Sequence, residues 1–204
     1  MVGGMAVESD IDVGLLKSEI QKTYASVSAE PEKDFIFPTG RAWAEDLGYP
    51  DELANVPEQA VEAFAGVANP WKLGRLAEGE HVLDLGSGAG TDSLIAAQMV
   101  GPDGQVTGID MTPEMLAKAR EAAEAMGASN VEFLEAEAEQ LPFPDESFDV
   151  VISNGVIDLI PDKDAVFSEL FRVLVPGGRM QIADVTIQQP VSEEGRRKID
   201  LWTG

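Results

Sequence analysis

The spacing of hydrophobic residues along this chain changes near residue 79. Ahead of that point the period is helical. Ile11, Leu15, Leu16, Ile20 and Tyr24 fall on one stripe of DIDVGLLKSEIQKTYASVSA, which predicts an amphipathic helix from about residue 10 to 29. Residues 31–57 are rich in Pro and Gly and predict a loop with short turns. Pro57 opens a short helix, PEQAVEAFAG, with Gly66 past its end. Residues 1–78 are thus expected to form a helix-and-loop cap on the domain beyond them.

From residue 79 short apolar runs alternate with helical patterns. HVLDLGSG reads as a buried strand entering a glycine turn, TDSLIAAQMV as a helix, and QVTGID as a second strand. Thr112 is placed to cap the next helix, with Pro113 at its first position and Glu114 near the positive end of its dipole. Its buried stripe is Met115, Leu116, Ala119, Ala122, Ala123 and Met126, and Gly127 stops it. VEFLEA and FDVVISNGV are a third and a fourth strand. Residues 161–174 predict a helix with Val166, Phe167, Leu170, Phe171 and Leu174 facing inward. Pro176-Gly177-Gly178 should then turn the chain into a fifth strand, RMQIADVTI. This order predicts an α/β fold: a doubly wound, mostly parallel sheet with helices on both faces and right-handed crossovers. Ligands bind such sheets at the carboxyl ends of the strands, where strand order reverses, and the first glycine turn should mark that point.

Composition narrows the function. The net charge of −23 argues against nucleic acid or anionic membrane headgroups as partners. An acidic surface suited to solubility or high salt is one explanation, and recruitment of a basic partner is another. No apolar run approaches the ~20 residues that span a bilayer. The N-terminus MVGGMAVESD lacks a basic signal-peptide region, so the expected location is cytoplasmic. There is no Cys, which removes disulfides, zinc-thiolate sites and thiol nucleophiles from this sequence. The one His, His81, starts the first strand far from the ligand-binding end, so no metal site is expected, with Mg²⁺ or Ca²⁺ held by carboxylates alone as the alternative.

Gly86, Gly88 and Gly90 lie between a strand and a helix, where missing Cβ atoms allow a tight turn and close approach of a ligand. The helix N-terminus beyond offers free N–H groups to a carboxylate or phosphate. Asp110 ends the second strand about 20 residues later, where an acid can accept bonds from both ribose hydroxyls. A plain strand-to-helix turn and a solvated loop acid are the alternatives; together the two features indicate a nucleoside-containing ligand. Thr91 stands where the dinucleotide fingerprint needs a third Gly or Ala, and no Lys comes after it as in a phosphate loop. An NAD-linked oxidoreductase is therefore disfavoured.

The stretches HVLDLGSGAG, VTGIDMTPEM, VEFLEAEAEQLPFPDESFDVVISN and LFRVLVPGGRMQIAD, in that order over residues 79–186, resemble the Rossmann-like S-adenosylmethionine (SAM) dependent methyltransferases. The resemblance implies a SAM-binding domain over 79–204 with S-adenosylhomocysteine (SAH) as product. It implies that Gly86, Ser87 and Gly88 line the methionine moiety and that Asp84 orders the turn from beneath. It further places Asp110 on the ribose, Met111 on the adenine, Glu137 with the Ala138 backbone at the adenine amino edge, and Asn154 beside the methyl-donor end. Simple core packing for Met111, a surface acid at Glu137 and a strand-end cap at Asn154 are the alternatives.

Within that superfamily LGYPDEL, AFAGVANPW, LDLGSGAGTDS, GIDMTPEML, VVISNGVIDLIPDKDAVFSELFRVLVPGGR and DLW are most similar to arsenite methyltransferases. That family holds trivalent arsenic through cysteine thiolates. One such position is Gly155 here, and another is Val67 or Ala68. Soft thiolates are the ligands arsenic(III) needs, so a small organic acceptor is expected in place of arsenite bound through thiolates. The alternatives are a SAM-binding regulatory or scaffold protein without turnover, or a fragment of an arsenite-methyltransferase-like enzyme. If the acceptor arrives protonated, Asp158 and Asp184 are the candidate bases. The fold normally adds two strands after the fifth. With the sequence ending at LWTG, the fifth strand should be an open apolar edge. That edge fits a fragment of a longer protein, a homodimer along the edge, or a partner chain supplying the missing strands.

Overall fold

The computed structural model describes residues 12–31, 33 and 35–186. Five strands carry the domain: His81–Leu85 (β1), Gln105–Asp110 (β2), Val131–Glu135 (β3), Phe148–Asn154 (β4) and Leu174–Ala183 (β5). They pair in the order β3-β2-β1-β4-β5, and every pair is parallel. The helices Thr91–Val100 (α4), Pro113–Met126 (α5) and Lys163–Val173 (α6) connect strands. Three more helices precede the sheet: Val13–Ala29 (α1), Gly40–Asp46 (α2) and Glu58–Val61 (α3). The chain winds outward from β1 to β3, then crosses back to place β4 on the other side of β1. Strand order thus reverses between β1 and β4, where the expected glycine turn lies.

Alternation along the strands separates two cores. Val82, Val106, Val150 and Ile152 face α4 and α5, whereas Leu83, Leu85, Phe148 and Val151 face α6. The first core also takes in Val27, Leu53, Val61, Phe64 and Trp71, so residues ahead of β1 share it with the sheet. α4 is buried almost all round, as a helix pressed between the sheet and the N-terminal segment must be.

Most helix ends obey the local signals. Asp12 Oδ1 accepts from Leu15 N at 3.0 Å, Asp162 Oδ1 accepts from Ala165 N at 2.9 Å, and Gly127 ends α5 at φ +67°. Thr112 occupies the N-cap of α5, but its side chain makes no capping bond.

Three expectations need correction. Residues 31–57 hold α2 and a 3₁₀ turn, Asp51–Asn55, because Ala44 and Leu53 are drawn into the core. On α6 the buried face is Val166, Leu170 and Val173; Phe167 is 43% exposed and Phe171 81% exposed. The Pro176-Gly177-Gly178 segment does not precede the fifth strand but lies inside it, as an irregularity in the β4–β5 register next to Phe148 and Val150. β5 is an edge strand of the described sheet, and the residues after Thr186 lie outside those described. Among the described residues no helix is long and apolar enough to cross a membrane.

Candidate functional site

At the carboxyl ends of β1, β2 and β4 lies a cavity of about 1110 Å³, counted out to its open mouth. Asp84, Gly86, Ser87, Gly88, Asp110, Met111, Glu137, Ala138 and Asn154 all line it. Residues read separately from four motifs thus meet in one space.

The three glycines of the turn have different reasons to be glycine. All adopt positive φ: +74° at Gly86, +51° at Gly88 and +89° at Gly90. A Cβ on Gly86 would overlap the Val156 side chain, and one on Gly90 would sit 2.9 Å from Phe133 Cζ. Those two serve packing. A Cβ on Gly88 would meet nothing within 4 Å, so Gly88 is the position whose bare backbone opens toward a ligand. Ser87 beside it is buried, and its hydroxyl has no hydrogen-bond partner among the described residues.

Asp110 is tied to the turn. Its Oδ2 accepts from Gly88 N at 2.9 Å and its Oδ1 from Thr112 N at 2.8 Å. Burial raises its pKa, opposed by these N–H groups. Each oxygen keeps a second lone pair for a ligand hydroxyl.

Asp84 and Asp92 form the floor. Asp84 Oδ2 accepts from Ser93 Oγ at 2.5 Å, which fastens β1 to the first turn of α4. Asp92 accepts from Trp71 Nε1 at 3.2 Å, Tyr49 Oη at 3.1 Å and Asn154 Nδ2 at 3.1 Å. Burial raises both carboxyls, and the charge of Asp92 raises Asp84 further. The sequence pointed to Asp84 beneath the turn, and the structure places it there bonded to Ser93 on α4; Asp92, Tyr49 and Trp71 were missed.

Asn154 reaches the cavity, yet its amide is spent on scaffold. Oδ1 accepts from Val67 N at 2.9 Å and Ala68 N at 3.3 Å. Nδ2 donates to Tyr49 Oη at 2.8 Å and Ala68 O at 3.0 Å as well as to Asp92. This clasp brings residues 67 and 68 against the end of β4. A Cβ on Gly155 would lie 2.9 Å from Val67 Cγ1, so Gly155 and Val67 face each other directly. Neither offers a metal- or arsenic-binding atom.

α1 supplies one wall of the cavity. Lys17, Ile20 and Tyr24 line the cavity. Lys17 Nζ pairs with Glu137 Oε2 at 2.8 Å and Glu139 Oε1 at 3.1 Å, and Gln21 Nε2 donates to Met111 O at 2.7 Å. Burial alone would lower the Lys17 pKa, but the two carboxylates outweigh it and the net shift is upward.

Asp158 and Asp184 meet each other at the ends of β4 and β5, but neither lines the cavity. Asp184 Oδ2 accepts from Ile157 N at 2.9 Å and Asp158 N at 3.3 Å. Burial, then the Asp184 carboxyl, pushes Asp158 up to about 7. His81 is exposed at the opposite end of β1.

Fold and cavity together define a Rossmann-like α/β protein with an open cavity at its switch point. The family described as "Methyltransferase domain" matches residues 76–202, and the chain belongs to it. An arsenite methyltransferase of Halobacterium salinarum is 48% identical over 167 residues, covering 81% of this chain and 42% of that protein. The chain thus spans less than half the length of that relative. A demethylmenaquinone methyltransferase of Listeria welshimeri is 40% identical over 119 residues, covering 58% of this chain and 50% of that one. Among solved structures, an arsenic(III) S-adenosylmethionine methyltransferase from Chlamydomonas reinhardtii superposes with a TM-score of 0.65 at 44% identity, covering 70% of this chain and 50% of that one. A SAM-dependent methyltransferase from Aquifex aeolicus superposes with a TM-score of 0.54 at 28% identity, covering 76% and 79%.

Proposed function

We propose that this chain binds SAM in the switch-point cavity and transfers its methyl group to a small, neutral organic acceptor. The observation that carries the reading is the convergence of Gly88, Asp110, Met111, Glu137 and Ala138 on one cavity. A sulfonium nucleoside needs a glycine turn for its amino-acid end, an acid for its ribose and a shelf with a polar edge for its adenine. In the transfer, a lone pair of the acceptor forms the new bond to the methyl carbon. The carbon–sulfur bond would break with its electrons returning to sulfur to leave neutral SAH, and the positive charge would pass to the acceptor, which loses its O–H or S–H proton to solvent. The residues here would align the two partners and exclude water.

The acceptor reading rests on Gly155 and Val67. Gly155 stands at one position where the resemblance implies a thiolate, and Val67, which it faces, or Ala68 beside it stands at the other; none has a ligating side-chain atom. Asp92, Asp110, Glu137 and Glu139 line the cavity beside Asp84, which burial pushes up to about 8 and so leaves largely protonated at neutral pH; Lys17 is the one cation among the described lining residues. That field disfavours an anionic acceptor. The test is calorimetry with SAH followed by SAH release from SAM. Neutral phenols and thiols, benzoates, and arsenite with glutathione would be the acceptors. Binding of SAH with turnover of a neutral acceptor supports the proposal. Methylarsenic formation overturns the acceptor, and no SAH binding by folded protein overturns the cofactor.

A further inference from the structure

We infer that the N-terminal half of α1 is a latch over the adenosine half of the cavity, fastened by Lys17 and Gln21, which must open for the cofactor to exchange. The inference rests on the SAM reading of the cavity and adds what controls its occupancy. Lys17 and Gln21 act as positioning residues: Lys17 grips Glu137, and Gln21 grips the Met111 carbonyl. Met111 and Glu137 are the two sides between which the adenine is expected. Lys17, Ile20 and Tyr24 succeed one another at helical spacing along the cavity wall, so a nucleoside lying there lies under α1.

The two halves of the helix are held differently. Leu16 and Ile20 are buried in a small cluster of their own, against Tyr24, Met111 and Leu159, apart from the main core. Val27 belongs to the main core, and Ser28 Oγ donates to Glu114 O at 3.3 Å on α5. The first turns can therefore lift without disturbing the sheet core, while the last turn remains a fixed hinge. Breaking the Lys17 pair leaves a half-exposed Glu137 to water and strands no buried charge, so the main cost of opening is exposure of Leu16 and Ile20, which keeps the latch closed most of the time.

The rates of SAH exchange decide the matter. A latch closed in both free and occupied protein obstructs arrival as well as departure. Lys17→Met combined with Gln21→Ala should raise both the association and the dissociation rate of SAH about tenfold, with Kd moving less than about threefold. A residue that merely touched the cofactor would change dissociation alone, and a merely structural one would not speed association. The chain has no native cysteine, so a Lys17→Cys, Glu139→Cys protein bridged by a short bismaleimide tests the closed state. Bridging should slow SAH uptake about tenfold relative to the unbridged variant. An association rate that neither variant changes overturns the latch. Wild-type protein that fails to take up SAH overturns the underlying cofactor reading instead.

Discussion

Replacing Asn154 by Ala is expected to cost about 3 kcal/mol of folding stability, a large loss for a residue at the end of a strand. The magnitude comes from the bonds the side chain makes. Its Oδ1 is the acceptor for Val67 N and Ala68 N, and its Nδ2 donates to Tyr49 Oη, Ala68 O and Asp92 Oδ2. Truncation leaves two backbone N–H groups without that acceptor and takes a donor from a buried carboxylate. Each stranded buried group costs about 1–3 kcal/mol, and water entering the vacated space recovers part of it. Urea unfolding followed by circular dichroism measures the loss. With a slope of about 2 kcal/mol per molar, the midpoint should fall by about 1.5 M. Asn154→Asp is the companion variant. It keeps the shape and the acceptor but sets a second carboxylate against Asp92, so its deficit should shrink as pH falls and protonates the pair. A loss under about 1 kcal/mol for the Ala variant, with native spectra, would refute the hub described around Asp92.

The other expectations are separable from that one. Gly86→Ala should destabilise by about 2–3 kcal/mol, from overlap with Val156 at φ +74°, and should be partly rescued by Val156→Ala. Gly88→Ala should cost only about 1 kcal/mol of backbone strain yet abolish SAH binding; thermal shift and calorimetry distinguish the two glycines. Asp158 carries a raised pKa, so its contribution to stability is full below about 4 and lost as pH rises through about 7. The stability of Asp158→Asn minus that of wild type should therefore grow across that window, and a constant difference would contradict the assignment. With a net charge of −23, the melting temperature should rise with added KCl up to molar concentrations, as self-repulsion is screened; a flat response would show that the acids are locally compensated.

Periodicity revealed the sheet because buried parallel strands are short apolar runs bounded by turn residues, as in β1 and β4, whereas β5 carries its turn residues inside the strand and its start was misplaced. It failed on α6 because Phe167 and Phe171 lie on the flank of the same apolar stripe as Val166, Leu170 and Val173. The local pattern says that a stripe exists but not how much of it a neighbour covers. The site shows the same division. Residues at strand ends were legible because the topology brings those ends together. Lys17, Tyr49 and Trp71 reach the site over long sequence separations, which no local spacing encodes. Asp92 stands in the first turn of a helix that is buried nearly all round, where a carboxylate must find its partners in the protein.

That buried carboxylate explains why the segment ahead of the sheet belongs to the site. Tyr49 and Trp71 come from the stretches LGYPDEL and NPW, far apart in the chain, and both donate to Asp92. Asn154 closes the clasp from β4 and holds the 67–68 backbone in place. The hub therefore sets the spacing between the 67–68 backbone and Gly155 at the end of β4. A protein that bound its acceptor through thiolates at those positions would depend on the same clasp to hold them at one spacing. Here the clasp is intact while the side chains it positions are a valine and a glycine. The clasp thus orders the backbone at this wall, and under the proposed function an acceptor there would meet Gly155, which lines the cavity and offers no ligating side-chain atom.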